Sequence, residues 1–124
     1  MSLPKRIWIN EVSPRDGLQV WRKFVATEQK IKWIKSLATT GLSAIEVTSF
    51  VSSKKVPQLA DADTVMTQLQ ALQVHLSALV PNQKGFERAI AGNCGAISIF
   101  TSPSNAFCEK NIGCNSANSL VRYA

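Results

Sequence analysis

The feature that most constrains this chain is the alternation of strand-like and helix-like segments. The pair occurs four times, about every 30 residues. The strand-like segments are rich in branched and aromatic residues, and the helix-like segments carry apolar residues at helical spacing. Strands that are apolar on both faces are typical of a parallel sheet covered by helices. The sequence therefore predicts an α/β fold built from βα units, and its 124 residues suit one small domain.

The segments can be assigned directly along the chain. The predicted strands are RIWINEV, SAIEVTSF, VHLSALV and AISIFTS. The predicted helices lie in TEQKIKWIKSLATTG, ADADTVMTQLQAL, PNQKGFERAIAGNCG and NSANSLVRYA. Thr27 is expected to cap the first helix and Gly41 to end it. The longest stretch that we predict to be irregular is SPSNAFCEKNIGCN.

Two architectures accommodate four βα units. One is a small open sheet with helices on both faces, and the other is the first half of a (β/α)8 barrel, a fold of about 250 residues. No Gly-x-Gly-x-x-Gly follows a strand, which disfavours a dinucleotide-binding sheet. Polar residues follow or end each strand, as they do at the active-site rim of a barrel. These are Arg15 and Asp16, Glu46 to Ser49, Pro81 and Asn82, and Ser102 to Asn105.

Composition and charge exclude several classes of protein. With 45% hydrophobic and 18% charged residues the chain resembles ordinary globular proteins, and no apolar run approaches the ~20 residues of a membrane span. MSLPKRIWIN lacks the apolar stretch of a signal peptide, so we expect a cytoplasmic protein with no membrane partner. The net charge of +6 is spread along the chain and is not interleaved with aromatic residues. This distribution predicts no nucleic-acid partner and leaves a solvated surface or a small anionic ligand.

The cysteines do not form a recognisable framework. No Cys-x-x-Cys motif occurs among the three cysteines, Cys94, Cys108 and Cys114. Their odd number argues against a framework of paired disulfides. One histidine, His75, cannot complete a Cys/His zinc site. We therefore predict reduced thiols.

The stretch EVSPRDGLQ carries the most chemistry. Pro14 is expected to hold Ser13 extended, and Asp16-Gly17 to break the strand, so that Arg15 and Asp16 point in different directions. A carboxylate at that place can bind a hard divalent cation, and an arginine beside it can bind a carboxylate or a developing oxyanion. The alternative is an Arg–Asp ion pair that stiffens a turn. Taken alone, the tripeptide Arg15-Asp16-Gly17 favours the ion pair.

A longer pattern is more specific. EVSPRDGLQ, GLSAIEVTSFVSSKKVPQLAD, LVPNQKGFERAIA and FCEKNIGC occur in that order. Together they resemble the 3-hydroxy-3-methylglutaryl-CoA lyase family from about Ile7 to Arg122. Isopropylmalate and homocitrate synthases share the Arg-Asp-Gly, whereas Leu18-Gln19 and IEVTSFVS are similar to the lyase branch.

The resemblance implies a TIM barrel, of which residues 1–124 supply the N-terminal half, about the first four βα units. It also implies cleavage of 3-hydroxy-3-methylglutaryl-CoA to acetyl-CoA and acetoacetate by a metal-assisted retro-Claisen reaction. On this resemblance Asp16 is a ligand of Mg²⁺ or Mn²⁺, Arg15 stabilises the enolate, and Glu46 organises proton transfer beside the metal. Supporting polar groups are expected at Glu11, Gln19 and Ser49.

The chain also departs from the family pattern. Val20-Trp21 replaces a polar pair. His75 stands alone on the third predicted strand, so it is not the His-x-His pair that the family has on a later strand. That pair, a later asparagine and a catalytic cysteine loop do not occur, so we expect this chain alone to be inactive. Two alternatives stay open: another acyl-CoA lyase or synthase of the superfamily, and a non-catalytic half-barrel that binds or assembles with a partner. A homodimer also stays open.

Overall fold

Four short strands pair side by side in the order in which they occur along the chain. In the computed structural model, which describes residues 2–124, they are β1 (Asn10–Glu11), β2 (Ala44–Ser49), β3 (His75–Leu79) and β4 (Ile97–Ser98). All neighbouring strands are parallel, and the sheet order is β1-β2-β3-β4. This order confirms the barrel-type prediction, because a doubly wound open sheet interrupts the chain order of its strands.

Within residues 2–124, five α-helices accompany the sheet. They are α1 (Thr27–Ala38), α2 (Ala62–Gln68), α3 (Gln83–Ala91), α4 (Asn105–Ile112) and α5 (Ser116–Tyr123). Two further turns are helical, a π-type turn at Ser13–Gly17 and a 3-10 turn at Pro57–Leu59. Among residues 2–124, no helix is long and apolar enough to cross a membrane.

The core lies between the sheet and the first three helices. Its buried side chains come from one face of β2 and β3 and from the inner faces of α1, α2 and α3, and the burial of this apolar surface is the main stabilising term. The cluster consists of Ile34, Ile45, Val47, Phe50, Ala62, Val65, Met66, Leu69, Ala78, Val80 and Ala89. The opposite face of the sheet carries the polar residues described below.

The first strand is shorter than predicted. Asn10 pairs with Ala44, the first residue of β2, so the residues before Asn10 have no neighbouring strand to bond. Ile7, Trp8 and Ile9 are accordingly exposed. The strand propensity of these residues is not sufficient to form a strand without a neighbouring strand to pair with.

Three predictions about helices are wrong. Gly41 does not end α1, which ends at Ala38 with Thr39 as its C-terminal cap.

The other two concern the start of α1 and the existence of α4. Thr27 does not cap α1 but is its first residue, and its Oγ1 donates a hydrogen bond to Asp61 Oδ2 at 2.7 Å. The stretch predicted to be irregular contains α4. At the start of α4, Ser104 Oγ accepts a hydrogen bond from Phe107 N at 3.3 Å. At its end, Gly113 adopts the left-handed conformation with φ 68°.

Lys30 is buried, although it belongs to the basic residues that we expected at the surface. Its Nζ donates to Asp61 Oδ1 at 2.7 Å and to Gln58 O at 2.6 Å, and it lies 4.2 Å from the centre of the Phe24 ring. The ammonium is therefore paired and hydrogen-bonded, as a buried charge requires. These contacts join α1 to the start of α2.

Candidate active site

The site begins with the orientation of side chains along β2. Ile45 and Val47 belong to the core beneath the helices, so Glu46 between them points to the other face of the sheet. Glu46 is nevertheless 3% exposed. A carboxylate buried to this extent needs partners that satisfy its oxygens.

Both oxygens of Glu46 have such partners. Arg15 Nε donates to Oε1 at 2.6 Å, and Ser98 Oγ donates to Oε2 at 2.6 Å. Glu46 lies on β2 and Ser98 on β4, so the contact passes over the intervening strand β3. Side chains from alternate strands share a layer in the interior of a (β/α)8 barrel, and this contact has that arrangement.

Arg15 reaches Glu46 from the turn Ser13–Gly17. The carbonyl of Val12 accepts from Arg15 N at 3.1 Å and from Asp16 N at 2.7 Å. Ser13 is therefore part of a helical turn, and the prediction that Pro14 holds it extended is wrong. The backbone bonds to Val12 outweigh the local preference of a residue before proline.

Glu11 stabilises the same turn. Its Oε1 accepts a hydrogen bond from Ser13 N at 2.8 Å. This bond from the Ser13 backbone lowers the pKa of the Glu11 carboxyl below its ordinary value. Glu11 thus acts on the conformation of the turn that carries Arg15 and Asp16.

The prediction that Arg15 and Asp16 point in different directions is wrong. Arg15 Nη1 lies 2.8 Å from Asp16 Oδ1, so the ion pair forms together with the contact to Glu46. The Asp16 side chain is 62% exposed, and within residues 2–124 its Oδ2 has no hydrogen-bond donor. The Nη2 group of Arg15 likewise has no acceptor in the described part of the chain. One carboxylate oxygen and one guanidinium nitrogen are thus available for a ligand.

The other predicted residues lie at different distances from this cluster. Gln19 is half-buried just after the turn and makes no side-chain hydrogen bond to the described residues. Ser49 is buried and donates to Leu79 O at 3.0 Å, which joins the ends of β2 and β3. His75 is exposed at the start of β3, the opposite end of the sheet from these strand ends. The three cysteines are free, and burial raises the pKa of the Cys94 thiol.

The described residues fit only part of a metal site. Asp16 offers an exposed carboxylate oxygen of the type that Mg²⁺ and Mn²⁺ prefer. Each oxygen of Glu46 already accepts a hydrogen bond, one from Arg15 and one from Ser98. Residues 2–124 contain no group of three or more His, Cys, Asp or Glu side chains that could bind an ion. Asp16 therefore fits as a single ligand.

Sequence reasoning missed Ser98. The sequence signal that could have identified it is its place in the apolar segment AISIFTS, two predicted strands after the strand that contains Glu46. A polar side chain in a strand that is otherwise apolar needs a partner. The identity of that partner depends on tertiary structure, since Glu46 precedes Ser98 by 52 residues.

Comparison with known proteins gives a consistent result. The HMGL-like family model matches residues 6–124. The chain is 46% identical over 123 residues to mitochondrial hydroxymethylglutaryl-CoA lyase of Rattus norvegicus, covering 98% of this chain and 38% of the relative. It is 46% identical over 122 residues to the cytoplasmic 3-hydroxy-3-methylglutaryl-CoA lyase of the same species, covering 98% and 36%.

The solved structure of HMG-CoA lyase from Bacillus subtilis matches with a TM-score of 0.93 and 45% identity, covering 98% of this chain and 41% of that one. The chain therefore spans about two fifths of the length of these relatives. Its sheet order and polar strand ends match the first βα units of a TIM barrel. The chain belongs to the HMGL-like family, and it corresponds to the N-terminal part of the HMG-CoA lyases that it matches.

Proposed function

We propose that this chain forms the N-terminal part of the catalytic domain of a 3-hydroxy-3-methylglutaryl-CoA lyase, with residues 1–124 as its first four βα units. One observation carries the proposal: Arg15 is oriented by the buried Glu46 and lies beside the exposed Asp16, after the first strand of a lyase-like sheet. The rat relatives are named as lyases of this substrate. The reaction would cleave the acyl-CoA to acetyl-CoA and acetoacetate.

Arg15 would stabilise the charge that develops in the reaction. Cleavage of the carbon–carbon bond leaves an enolate on the acetyl-CoA fragment, and its negative charge lies mainly on the thioester oxygen. The Nε and Nη1 groups of Arg15 already donate to Glu46 and Asp16, and Nη2 has no acceptor among the described residues, so we assign Nη2 to this oxygen. A donor fixed before the reaction is worth more than a mobile one, because it does not reorganise when the charge appears.

Asp16 would bind the divalent cation of the reaction, either Mg²⁺ or Mn²⁺. A bound cation would polarise the hydroxyl and carboxylate oxygens of the substrate. The contribution of this chain is the free Oδ2 of Asp16, whose position is fixed by the bond between Arg15 and Oδ1.

Glu46 and the remaining polar residues would support this arrangement. With both oxygens accepting hydrogen bonds, Glu46 is suited to orient Arg15. In the proposal it also organises proton transfer near the cation once substrate is bound. Glu11 maintains the turn through Ser13 N, Ser49 joins β2 to β3, and Gln19 borders the site.

The test is a substrate assay on the full-length protein that contains this sequence. Incubation with 3-hydroxy-3-methylglutaryl-CoA and Mg²⁺ or Mn²⁺ should yield acetyl-CoA and acetoacetate, and a chelator should stop the reaction. Turnover of a different acyl-CoA, with none of this substrate, would favour another lyase or synthase of the superfamily. Absence of turnover with every acyl-CoA would favour a binding or assembly role.

The location of the protein is part of the proposal. A cytoplasmic lyase among the relatives supports a cytoplasmic enzyme, and the mitochondrial relatives define the alternative. Fractionation of cells that express the full-length protein, followed by immunodetection, distinguishes the two compartments. The acyl-CoA substrate is the partner that the proposal requires, and a homodimer is tested by the molar mass of the purified protein in solution.

A further inference from the structure

The Ser98 hydroxyl occupies a position that the proposed reaction does not yet explain. Ser98 lies on β4, is half-buried, and donates from Oγ to Glu46 Oε2 at 2.6 Å. The other oxygen of Glu46 accepts from Arg15 Nε at the same distance. The two donors thus approach the carboxylate from opposite edges of the sheet, one from the turn after β1 and the other from β4.

We propose that Ser98 is a positioning residue, which fixes the Glu46 carboxylate so that Arg15 is presented to the substrate. This inference rests on the proposed function, and Ser98 does not itself contact the reacting atoms. With Ser98 present, the Glu46 side chain is restrained at both oxygens, and its plane is set. Without the hydroxyl, Oε2 loses a donor at a site where the residue is 3% exposed. Rotation of Glu46 toward water would then move or release Arg15.

The expected effect is larger on turnover than on substrate binding. A transition-state donor that is displaced by a fraction of an ångström loses electrostatic stabilisation, whereas the acyl-CoA retains its other contacts. Loss of a hydrogen bond to a charged group typically changes an equilibrium constant or a rate constant by roughly ten- to hundredfold. We therefore expect Ser98→Ala to lower kcat by roughly tenfold or more with KM little changed.

Two further variants separate the hydroxyl from its surroundings. Ser98→Thr keeps the hydroxyl on a strand that tolerates β-branched residues, and it should restore kcat to within a few-fold of wild type. Ser77→Ala is the matched control. Ser77 is buried, is opposite Glu46 in the β2–β3 register, and makes no side-chain hydrogen bond to the described residues. Its removal should leave kcat unchanged.

The experiment combines steady-state kinetics on 3-hydroxy-3-methylglutaryl-CoA with crystal structures of full-length wild type and Ser98→Ala. Loss of kcat in Ser98→Ala, recovery in Ser98→Thr and no change in Ser77→Ala support the inference. Ser98→Ala within twofold of wild type, or Ser98→Thr as impaired as Ser98→Ala, overturns it. If wild type does not cleave this substrate, the proposed function fails and the structures decide the inference separately. Displacement of Glu46 from Arg15 in the variant supports it, and an unchanged pair overturns it.

Discussion

Arg15 Nε lies 2.6 Å from Glu46 Oε1, although 31 residues separate the two in the chain. The side chain of Arg15 is 18% exposed and that of Glu46 4% exposed. The pair is therefore largely removed from water, unlike the contact of Arg15 with Asp16. This relationship links the turn after β1 to the interior face of β2, and it determines how Arg15 responds to substitution.

Removal of Arg15 alone should destabilise the protein. From the sequence, an arginine paired only with an aspartate at an exposed turn predicts a loss of about 1 kcal/mol or less. Because Arg15→Gln leaves the buried Glu46 charge without its cation, we instead expect a loss of about 3 kcal/mol in the free energy of unfolding. Urea denaturation of the full-length protein measures it. The double variant Arg15→Gln/Glu46→Gln should recover most of the loss, and an equally unstable double variant would contradict this explanation.

The metal prediction concerns Asp16. Because its side chain is 62% exposed, Asp16→Ala should leave the melting temperature within a few degrees of wild type. The variant should nevertheless bind Mn²⁺ much more weakly in calorimetric titration and should lose divalent-metal-dependent turnover. Normal Mn²⁺ affinity in the folded variant would exclude Asp16 as a ligand.

A close approach between α3 and β2 predicts the effect of a single methyl group. A Cβ at Gly85 would lie 2.6 Å from the carbonyl oxygen of Phe50, which is backbone and cannot rotate away. Gly85→Ala should therefore cost roughly 1–3 kcal/mol, despite the better helix propensity of alanine. The control is Gly95→Ala, where a Cβ would meet nothing within 4 Å and the free energy of unfolding should hardly change. Equal stabilities of the two variants in urea would contradict the prediction.

The Glu11 carboxyl predicts a dependence of stability on pH. Its pKa is lowered in the folded chain by the bond from Ser13 N, so ionised Glu11 stabilises the fold above its ordinary pKa of 4.5. The contribution is lost as pH falls through the lowered pKa, because the folded carboxyl is then protonated too. Glu11→Gln retains an acceptor but not the charge. The difference in melting temperature between wild type and Glu11→Gln should be constant above about pH 6 and shrink in the acid range. A difference that is independent of pH down to the acid range would contradict this role.

The sequence predicted the elements whose signals are local. Strand order follows from the alternation of strand and helix, and the end of the first strand from Asp16-Gly17. α4 was missed because only Cys108 and Ile112 of its eight residues are buried, which leaves little apolar periodicity to detect. Its start and end depend instead on Ser104 and Gly113.

The contacts of the site were less predictable, since they join residues distant in sequence. Lys30 is spaced with Ile34 and Leu37 on the apolar side of α1, which signals burial, but its partner Asp61 is 31 residues away. Glu46 was identified from the resemblance, whereas the donors to its two oxygens depend on β1, β2 and β4 coming together. Local patterns do not specify such layers across a sheet.

The central claim is that Arg15 stabilises the enolate, and turnover by Arg15→Lys tests it most directly. Lysine keeps the charge next to Glu46 but lacks the planar fork that contacts Glu46 and Asp16 and that, in the proposal, also donates to the substrate. Steady-state kinetics of the full-length protein on 3-hydroxy-3-methylglutaryl-CoA, with a melting curve for each protein, separate catalysis from folding. We predict a folded Arg15→Lys variant with modestly changed KM and kcat lowered by roughly 10²–10³. A lysine variant with kcat within a few-fold of wild type would contradict the claim and leave Arg15 as a structural partner of Glu46.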